Sequence, residues 1–421
     1  MGNIPWVPVP GVPAAIRDRL GVRRGHDEII YLVSPAGWPN YGDELIARGW
    51  LRHLARTRPR ARVVLDCHSP GQAGLLLRDI HPRAVFVDTL WQLTQYASNR
   101  TRTDGPDPDT PWVWVADAAT RFGPAPRLAE GVDVFRRASS VHLLGGGYVN
   151  AVWPHHVSLV AAIAELARTA GVAAYASGQG LLPRAPEPAW SVLEKAVAEF
   201  DVFDVRDVAS ADALAPTPAL RQTGDDAWLT IDDADTLQKP ESMTPDGGVT
   251  LCIQGDLTDD FAWHGHRGAP ALAGFVHATL DAWDVPGDAV TVVEGIPGRD
   301  RDIVVRLGDR LHGARTVPFL DVWHRGMPAG LGNTWISTRF HPHLVAAAAG
   351  DSGVAVIPRP DYYAAKHGSL TAAGSRWTVV ADPEVIPDRP IAGGFAQDAR
   401  ARRVSEKHAL AERLYPRRRG F

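Results

Sequence analysis

Short apolar runs alternate with longer stretches in which apolar residues recur at helical spacing along most of the chain. The runs have the length of buried strands, and the stretches have the periodicity of helices that pack against a sheet. This alternation predicts parallel sheets covered by helices on both faces. The predicted strands are 29–33, 61–65, 84–87, 112–115, 140–144, 172–176, 201–205, 249–253, 290–293, 335–337 and 354–357. The predicted helices are 43–56, 156–170, 190–199, 209–214, 270–283, 301–311, 341–349 and 393–414.

A polar segment without periodicity, DDADTLQKPESMTPDGG at 232–248, interrupts this pattern and is typical of an interdomain linker. We therefore expect an α/β protein with two doubly wound parallel-sheet domains that face a cleft. The expected limits are 1–235 for the N-terminal domain, 236–248 for the linker and 249–421 for the C-terminal domain. One placement for the last helix, 393–414, is against the N-terminal domain. Ligands of such sheets bind beyond the carboxyl ends of the strands, so the strand-to-helix loops are candidate binding elements.

Composition narrows the class of protein. The 421 residues are 45% hydrophobic and 22% charged, as in ordinary globular proteins, and the net charge of −4 gives no indication of nucleic-acid binding. The two cysteines, Cys67 and Cys252, lie beside apolar runs and form no CxxC pair, which favours free thiols over a metal site. The N-terminus lacks the features of a signal peptide, and no apolar run approaches the roughly 20 residues of a transmembrane helix. We predict a cytoplasmic protein without a transmembrane segment.

Four loops fall at the predicted binding edges of the sheets. Glycines at strand ends let backbone amides approach a ligand, and a following helix N-terminus favours anions. The second loop lacks the spacing of a dinucleotide-binding motif, and a tight turn without ligand explains it equally well. The loops and their candidate residues are GWPNYGDE with Asn40, Gly42 and Asp43, GGGYVN with Gly146 and Gly147, SGQGLLPR with Gln179, and STRFHPHLVAAAAG with Arg339 and His341.

The fourth loop contains the two side chains best suited to bind an anion and to transfer a proton. Arg339 offers a planar fork for a carboxylate or phosphate, and His341 can carry or donate a proton near neutral pH. A surface ion pair and a helix cap are the plain alternatives. His341 and His343 form an HxH, but no matching partner pattern accompanies it, so we predict no metal site.

Three further charged residues follow predicted strands. Arg206 comes directly after the strand 201–205, Glu294 ends the strand 290–293, and Lys366 is expected on a loop after the strand 354–357. Each has a structural alternative, namely a strand-end ion pair for Arg206, a helix-capping cluster for Glu294 and a solvated side chain for Lys366.

In order and spacing, these loops resemble the polysaccharide pyruvyl transferase family. Members of that family have a glycosyltransferase-B-like architecture and move the pyruvyl group of phosphoenolpyruvate onto two hydroxyls of a sugar, forming a ketal and releasing phosphate. The resemblance covers residues 29–366, while Pro342 and His343 depart from it. The motifs that carry it are NYGDELI (40–46), LLGGGY (143–148), ASGQGLLP (176–183), DVRDVASADAL (204–214), TGDDAWL (223–229) and STRFHPHLVAAAAG (337–350), followed by Lys366.

The resemblance implies roles for these residues. Arg339 and Lys366 would hold the anionic groups of phosphoenolpyruvate, His341 would be the general acid, and Arg206 would assist the departure of phosphate. On the acceptor side, Asp43 would be the base or the group that orients a hydroxyl. The remaining candidate substrate-binding residues are Asn40, Gly42, Gly146, Gly147, Gln179 and Glu294. The expected co-substrates are phosphoenolpyruvate and a sugar or glycan, without a metal or other cofactor.

Two other functions are compatible with the sequence. In a nucleotide-sugar glycosyltransferase of the same architecture, Arg339 and Lys366 would hold a diphosphate and Glu294 would contact a ribose. A non-catalytic glycan-binding relative is the second alternative, because a fold alone does not establish activity. The acceptor stays open between an envelope glycan, a lipid-linked sugar and a small natural product, and a homo-oligomer is one of the oligomeric states open to the chain.

Overall fold

A computed structural model describes residues 28–238 and 248–417 of the chain. The proline-rich lead and most of the predicted linker lie outside the described residues. The strands are β1 (Ile29–Val33), β2 (Arg62–Asp66), β3 (Ala84–Val87), β4 (Ser140–Leu143), β5 (Ala173–Gln179), β6 (Val202–Val205), β7 (Leu220–Gln222), β8 (Val249–Cys252), β9 (Ala262–Trp263), β10 (His266–Arg267), β11 (Val290–Val293), β12 (Arg315–Val317), β13 (Thr334–Ser337), β14 (Ser352–Val356) and β15 (Thr378–Val380).

Helices connect most of these strands. They are α1 (Tyr41–Thr57), α2 (Pro70–Leu77), α3 (Thr89–Ala97), α4 (Pro111–Thr120), α5 (Ala129–Arg136), α6 (Val157–Ala170), α7 (Ala189–Val197), α8 (Val208–Ala213), α9 (Gly268–Ala282), α10 (Arg301–Leu307), α11 (Phe319–Arg325), α12 (Phe340–Ala348), α13 (Pro360–Ala372) and α14 (Gln397–Leu414). Across the described ranges, no helix combines the length and apolar character needed to cross a bilayer.

The strands form two parallel sheets of the doubly wound type, which confirms the predicted fold. The first sheet has the order β3-β2-β1-β4-β5-β6-β7, and the second has the order β12-β11-β8-β13-β14-β15. In each sheet the strand order reverses beside its first strand, between β1 and β4 and between β8 and β13. Crevices at such switch points are where ligands bind in open α/β sheets. The predicted loops after β1, β4 and β13 therefore lie at these crevices.

The two halves pack on each other through apolar and polar contacts. One hydrophobic core cluster contains residues of both halves, including Trp50, Trp228, Trp323 and Phe395. The ring of Trp228 meets that of Phe395 at 5.1 Å. This packing brings the binding edges of the two sheets to a common cleft.

The C-terminal helix α14 contacts the N-terminal sheet through a buried charge. The ammonium of Lys407 lies 2.8 Å from Asp204 and 3.0 Å from Asp226, and all three side chains are fully buried. Burial opposes the charge of Lys407, but the two carboxylates outweigh it and raise the pKa of this lysine. Removing one partner of a buried ion pair is strongly destabilising, so this contact holds the chain end in place. The predicted domain limits themselves stay a prediction.

Two predicted elements were wrong. The segment 112–115 belongs to helix α4, not to a strand, because Pro111 starts a first helical turn and Trp112, Val115 and Ala119 bury one helical face. Lys366 lies in helix α13, not on a loop, where Tyr362, Lys366 and Leu370 are buried at helical spacing.

Candidate active site

A cavity of about 580 Å³ lies at the cleft between the two halves. On one side the walls come from α3 and the loops after β1, β2, β4 and β6. On the other side they come from α12, α13 and the loops after β8 and β11. Among the sequence-predicted residues, those that line the cavity are Asn40, Asp43, Gly147, Arg206, Arg339, His341 and Lys366. The structure thus brings candidates from distant parts of the chain to one place.

At the start of helix α1, the neighbouring acids Asp43 and Glu44 have different surroundings. Asn40 caps the helix by accepting a hydrogen bond from Gly42 N at 3.3 Å, and its Nδ2 donates to Asp43 at 2.8 Å. The Asp43 carboxylate lines the cavity. Glu44 is fully buried instead, and it accepts a hydrogen bond from Gly37 N at 2.7 Å. Asp43 is therefore available to a ligand, while Glu44 shapes the loop after β1.

Gly42 lies where the two halves pack directly on each other. A β-carbon added at this glycine would lie 1.7 Å from Nδ1 of His341. One position earlier in the chain, the Tyr41 N–H donates to the carbonyl of Gly295 at 2.9 Å. Glycine at position 42 thus lets the imidazole of His341 pack directly on helix α1.

His341 has a carboxylate partner that sequence reasoning missed. Its Nε2 lies 3.4 Å from Oδ1 of Asp225, a buried residue from the N-terminal half. Burial alone would raise the pKa of Asp225, but His341 and then Arg206 outweigh it and lower the pKa to about 2. The carboxylate stays ionised at neutral pH and orients the imidazole.

Arg206 is buried at the end of β6. Its Nη1 lies 3.6 Å from Oδ2 of Asp225, and its guanidinium lies over the Phe340 ring at 4.5 Å from the ring centroid. Gly180 makes room for it, since a β-carbon there would lie 2.5 Å from Nε. The side chain is therefore held rigidly at the cavity wall.

Lys366 is a buried lysine whose amine makes no ion pair among the described residues, although the Asp43 and Asp225 carboxylates lie near enough to act on its pKa. Its Nζ lies 3.5 Å from the centroid of the Tyr362 ring and 5.1 Å from that of Tyr363. Within residues 28–238 and 248–417, no carboxylate comes within ion-pair distance of this nitrogen. Burial lowers the pKa of Lys366, and the neighbouring Arg206 adds to the effect. An anion in the cavity would supply the missing partner.

Arg339 is fixed by two acids. Its Nε donates to Asp300 at 3.1 Å, and its Nη2 donates to Asp256 at 3.1 Å. Burial opposes the charge, but Asp300 and Asp256 raise the pKa of Arg339, so the guanidinium stays charged. In the chain, Arg339 directly precedes helix α12, and no side chain caps the first turn of that helix. The positive end of that helix and the arginine face the same cavity.

Asp43 lies among these cations. Burial raises the pKa of its carboxyl, while His341 and Lys366 act in the opposite direction, and the net shift is upward. A carboxylate with a raised pKa is a better proton acceptor than an exposed one. The geometry therefore allows Asp43 to work as a base beside a cation-rich site.

Four predicted residues do not line the cavity: Gly42, described above, and Gln179, Gly146 and Glu294. Gln179 is buried, and its Nε2 donates to Leu144 O at 2.7 Å, which fixes the loop after β4. Gly146 has a φ of 147° and supports the same loop. Glu294 pairs with Arg301 and accepts from Phe319 N at 3.3 Å, so its carboxylate is engaged within its own half. These residues shape the site and do not line it.

His343, the departure noted in the fourth loop, belongs to a buried pair. Its Nδ1 lies 3.0 Å from Nδ1 of His367, and its Nε2 lies 2.8 Å from the Ser375 hydroxyl. His367 Nε2 donates to the Thr338 carbonyl at 3.2 Å. The pair joins α12 to α13, the helices of His341 and Lys366. In the part of the chain that the structure describes, no group of three His, Cys, Asp or Glu could hold a metal ion.

Sequence reasoning missed the acids that hold the cations, namely Asp225, Asp256 and Asp300, and the two tyrosines beneath Lys366. A signal for Asp225 was present in TGDDAWL, where two acids follow the short edge strand β7. The second of these acids, Asp226, is bound by Trp50 Nε1 at 2.7 Å and is structural. The other acids lie far from their arginine in sequence, so only the fold brings them together.

In fold, the chain is similar to UDP-N-acetylglucosamine 2-epimerases. One such structure has a TM-score of 0.51 at 11% identity, covering 92% of this chain and 95% of that one. A putative one from Listeria monocytogenes has a TM-score of 0.50 at 10% identity, covering 92% of each chain. The Methanocaldococcus jannaschii enzyme in complex with UDP-GlcNAc and UDP has a TM-score of 0.50 at 9% identity, covering 91% of this chain and 99% of that one. The likeness concerns the fold alone, and it confirms the glycosyltransferase-B-like architecture.

A comparison with curated proteins gave no match. A family model described as polysaccharide pyruvyl transferase matches residues 40–284, more than half of the 421 residues. The matched region begins at Asn40 and includes Asp43, Arg206 and Asp225 of the cavity wall. The resemblance seen in the sequence is thus confirmed, and the chain belongs to the polysaccharide pyruvyl transferase family.

Proposed function

We propose that the protein transfers the pyruvyl group of phosphoenolpyruvate to two hydroxyls of a sugar or glycan and releases phosphate. The observation that carries the proposal is the buried amine of Lys366, which makes no ion pair among the described residues, in a cavity that Arg206, Arg339 and His341 also line. A buried cation without a partner is costly, and a ligand with both a carboxylate and a phosphate relieves that cost. Phosphoenolpyruvate is a ligand of this kind.

Binding of the donor follows from the arrangement of cations. Lys366 and Arg206 lie side by side, since a β-carbon added at Gly147 would lie 3.1 Å from Lys366 Nζ and 3.0 Å from Arg206 Nη2. They form one anion-binding position, and Arg339 with the uncapped start of α12 forms a second. Two positions suit the two anionic groups of the donor.

The proposed reaction begins with a proton from His341 to the methylene carbon of the enol. The electron pair of the double bond forms the new C–H bond, and an oxocarbenium-like centre remains at the adjacent carbon. A sugar hydroxyl attacks this carbon and loses its proton to Asp43. Phosphate then leaves with the electron pair of its C–O bond, assisted by Arg206. The second hydroxyl attacks the same carbon and closes the ketal, and its proton passes to His341, which the first step left neutral.

Exclusion of water protects the cationic intermediate from hydrolysis. The Tyr362 hydroxyl donates to the Gly147 carbonyl at 2.8 Å, across the cleft between the two halves. The backbone bond from Tyr41 to Gly295 crosses the cleft a second time. These two contacts keep the halves closed around the cavity.

Donor binding tests the proposal. We expect phosphoenolpyruvate to stabilise the protein against heat, by about 2.7 kcal/mol at 100 times its Kd. Lys366→Gln should weaken this binding about 10- to 100-fold, and Lys195→Gln, which changes an exposed lysine on α7, should not. Stabilisation by UDP-N-acetylglucosamine and not by phosphoenolpyruvate would favour a nucleotide-sugar enzyme instead.

A further inference from the structure

The cavity has a second part that the donor chemistry leaves unused. It is lined by aromatic and neutral polar side chains of the N-terminal half, which we name the aromatic wall: Trp38, His68, Gln95, Trp153, His155 and His156. We propose that the aromatic wall binds the acceptor, and that the ring it receives is an uncharged saccharide and not a sugar acid. This inference rests on the proposed function.

The aromatic wall is continuous with the donor site. The Trp153 ring stacks on His156 at 6.1 Å with an interplanar angle of 12°, and it meets the edge of Tyr362 at 5.9 Å. Tyr362 in turn carries the ammonium of Lys366 on its face. A ligand ring on Trp153 would therefore lie next to the anionic groups of the donor, as a transfer between the two requires.

The end of the aromatic wall that lies away from the donor site is held by ring contacts. His68 packs on Trp91 with ring centroids 3.7 Å apart, and Trp91 meets the edge of His156 at 5.1 Å. His156 donates from Nδ1 to the Tyr148 carbonyl at 2.8 Å when neutral, which leaves Nε2 to accept a hydrogen bond. Flat rings beside hydrogen-bonding groups match a sugar, whose C–H face is apolar and whose edge is hydroxylated.

The side chains of the aromatic wall carry no formal charge at neutral pH. No member of the aromatic wall is Lys, Arg, Asp or Glu. Burial lowers the pKa of His68 to about 4 and that of His156 to about 3, and it also lowers the pKa of His155. All three imidazoles are therefore neutral at pH 7.

A neutral wall discriminates between acceptors. A carboxylate on the acceptor ring would lose its hydration here without gaining a cation, because in the proposed complex Lys366 and Arg206 hold the anionic groups of the donor, and this loss is costly. Hydroxyls and acetamido groups, by contrast, can bond to Gln95 and to neutral imidazoles. The wall therefore selects for neutral hexoses and N-acetylhexosamines over uronic acids.

Acceptor kinetics with variants of the wall test this inference. With methyl glycosides of neutral sugars as acceptors, Trp153→Ala and His68→Ala should raise the acceptor KM at least about tenfold. The affinity for phosphoenolpyruvate should stay within about twofold of wild type in both variants. Phe122→Ala, which removes an exposed ring outside the cavity, is the control and should change neither value.

Three results would overturn the inference: an unchanged acceptor KM, an equal loss of donor affinity, or uronic acid glycosides used as well as neutral ones. Saturation-transfer NMR of the same glycosides, without donor, separates this inference from the proposed function. If phosphoenolpyruvate does not bind, a glycoside signal that Trp153→Ala abolishes still supports the acceptor site. A signal that Trp153→Ala leaves intact contradicts it.

Discussion

Nε2 of His341 lies 3.4 Å from Oδ1 of Asp225, and the two residues come from opposite halves of the chain. The contact places the proposed acid at the cleft and ties its orientation to a carboxylate that also faces Arg206. An imidazole held by a carboxylate is a common arrangement for proton transfer.

Asp225→Asn should lower kcat about 10- to 100-fold, because the imidazole loses the charge that orients it. Stability at pH 7 should fall by about 2 kcal/mol, because a pKa lowered to about 2 means that the ionised carboxylate stabilises the folded state. Asparagine can still accept the hydrogen bond that Asp225 takes from Ala227 N, so the protein should stay folded. Phosphate release and thermal unfolding measure the two effects. Asp212→Asn, at an exposed acid of α8, is the matched control. A full wild-type kcat in Asp225→Asn would remove this residue from the mechanism.

Gly42→Ala should inactivate the protein without unfolding it. The new methyl would occupy the position of the His341 ring, which must move away from the cavity. Alanine favours the helix itself by about 1 kcal/mol, which offsets part of the cost. Gly71→Ala is the control: Gly71 is also the second residue of a helix, and a β-carbon there meets nothing within 4 Å. Similar activities in the two variants would show that the His341 position does not matter.

Asp43→Asn should keep the fold, because Asn40 and not Asp43 caps helix α1. Turnover should fall about 100-fold or more if Asp43 is the base. The net upward shift in the pKa of Asp43, caused by burial, places the acidic limb of the kcat/KM profile above the usual range of an aspartate. Activity is then lost as the pH falls through that raised pKa. A profile measured from pH 4 to 8 that shows no such limb would contradict the assignment.

Glu44→Gln should stabilise the protein more at pH 8 than at pH 5. Burial raises the pKa of Glu44 from 4.5 to about 8, so the folded state holds a proton that the unfolded state releases between these values. The contribution of Glu44 to the free energy of unfolding is therefore fully present below pH 4.5, and it is lost as the pH rises toward 8. Each pKa unit corresponds to about 1.4 kcal/mol, so the gain should be a few kcal/mol at pH 8. Chemical denaturation at both pH values measures it, and equal gains would refute the raised pKa.

Much of this architecture was predictable from the sequence, because buried parallel strands and amphipathic helices leave clear periodic patterns. The site was predictable in part: Arg339 and His341 stood out beside a helix start. Asp225 did not stand out, because its contact with His341 joins sequence positions more than 100 residues apart and arises only in the folded chain. The placement of Lys366 was wrong because α13 begins with a proline and has a mixed apolar and polar surface, which reads as a loop. Tertiary packing, not local propensity, decides such segments.

The most direct test of the central claim is to incubate the protein with phosphoenolpyruvate and neutral methyl hexosides, and to measure phosphate and product together. We expect one phosphate to be released for each sugar that gains a pyruvate ketal, as seen by mass spectrometry and by the ketal methyl signal in NMR. His341→Ala should abolish both. Release of phosphate without ketal, or ketal formation at the wild-type rate in His341→Ala, would contradict the account.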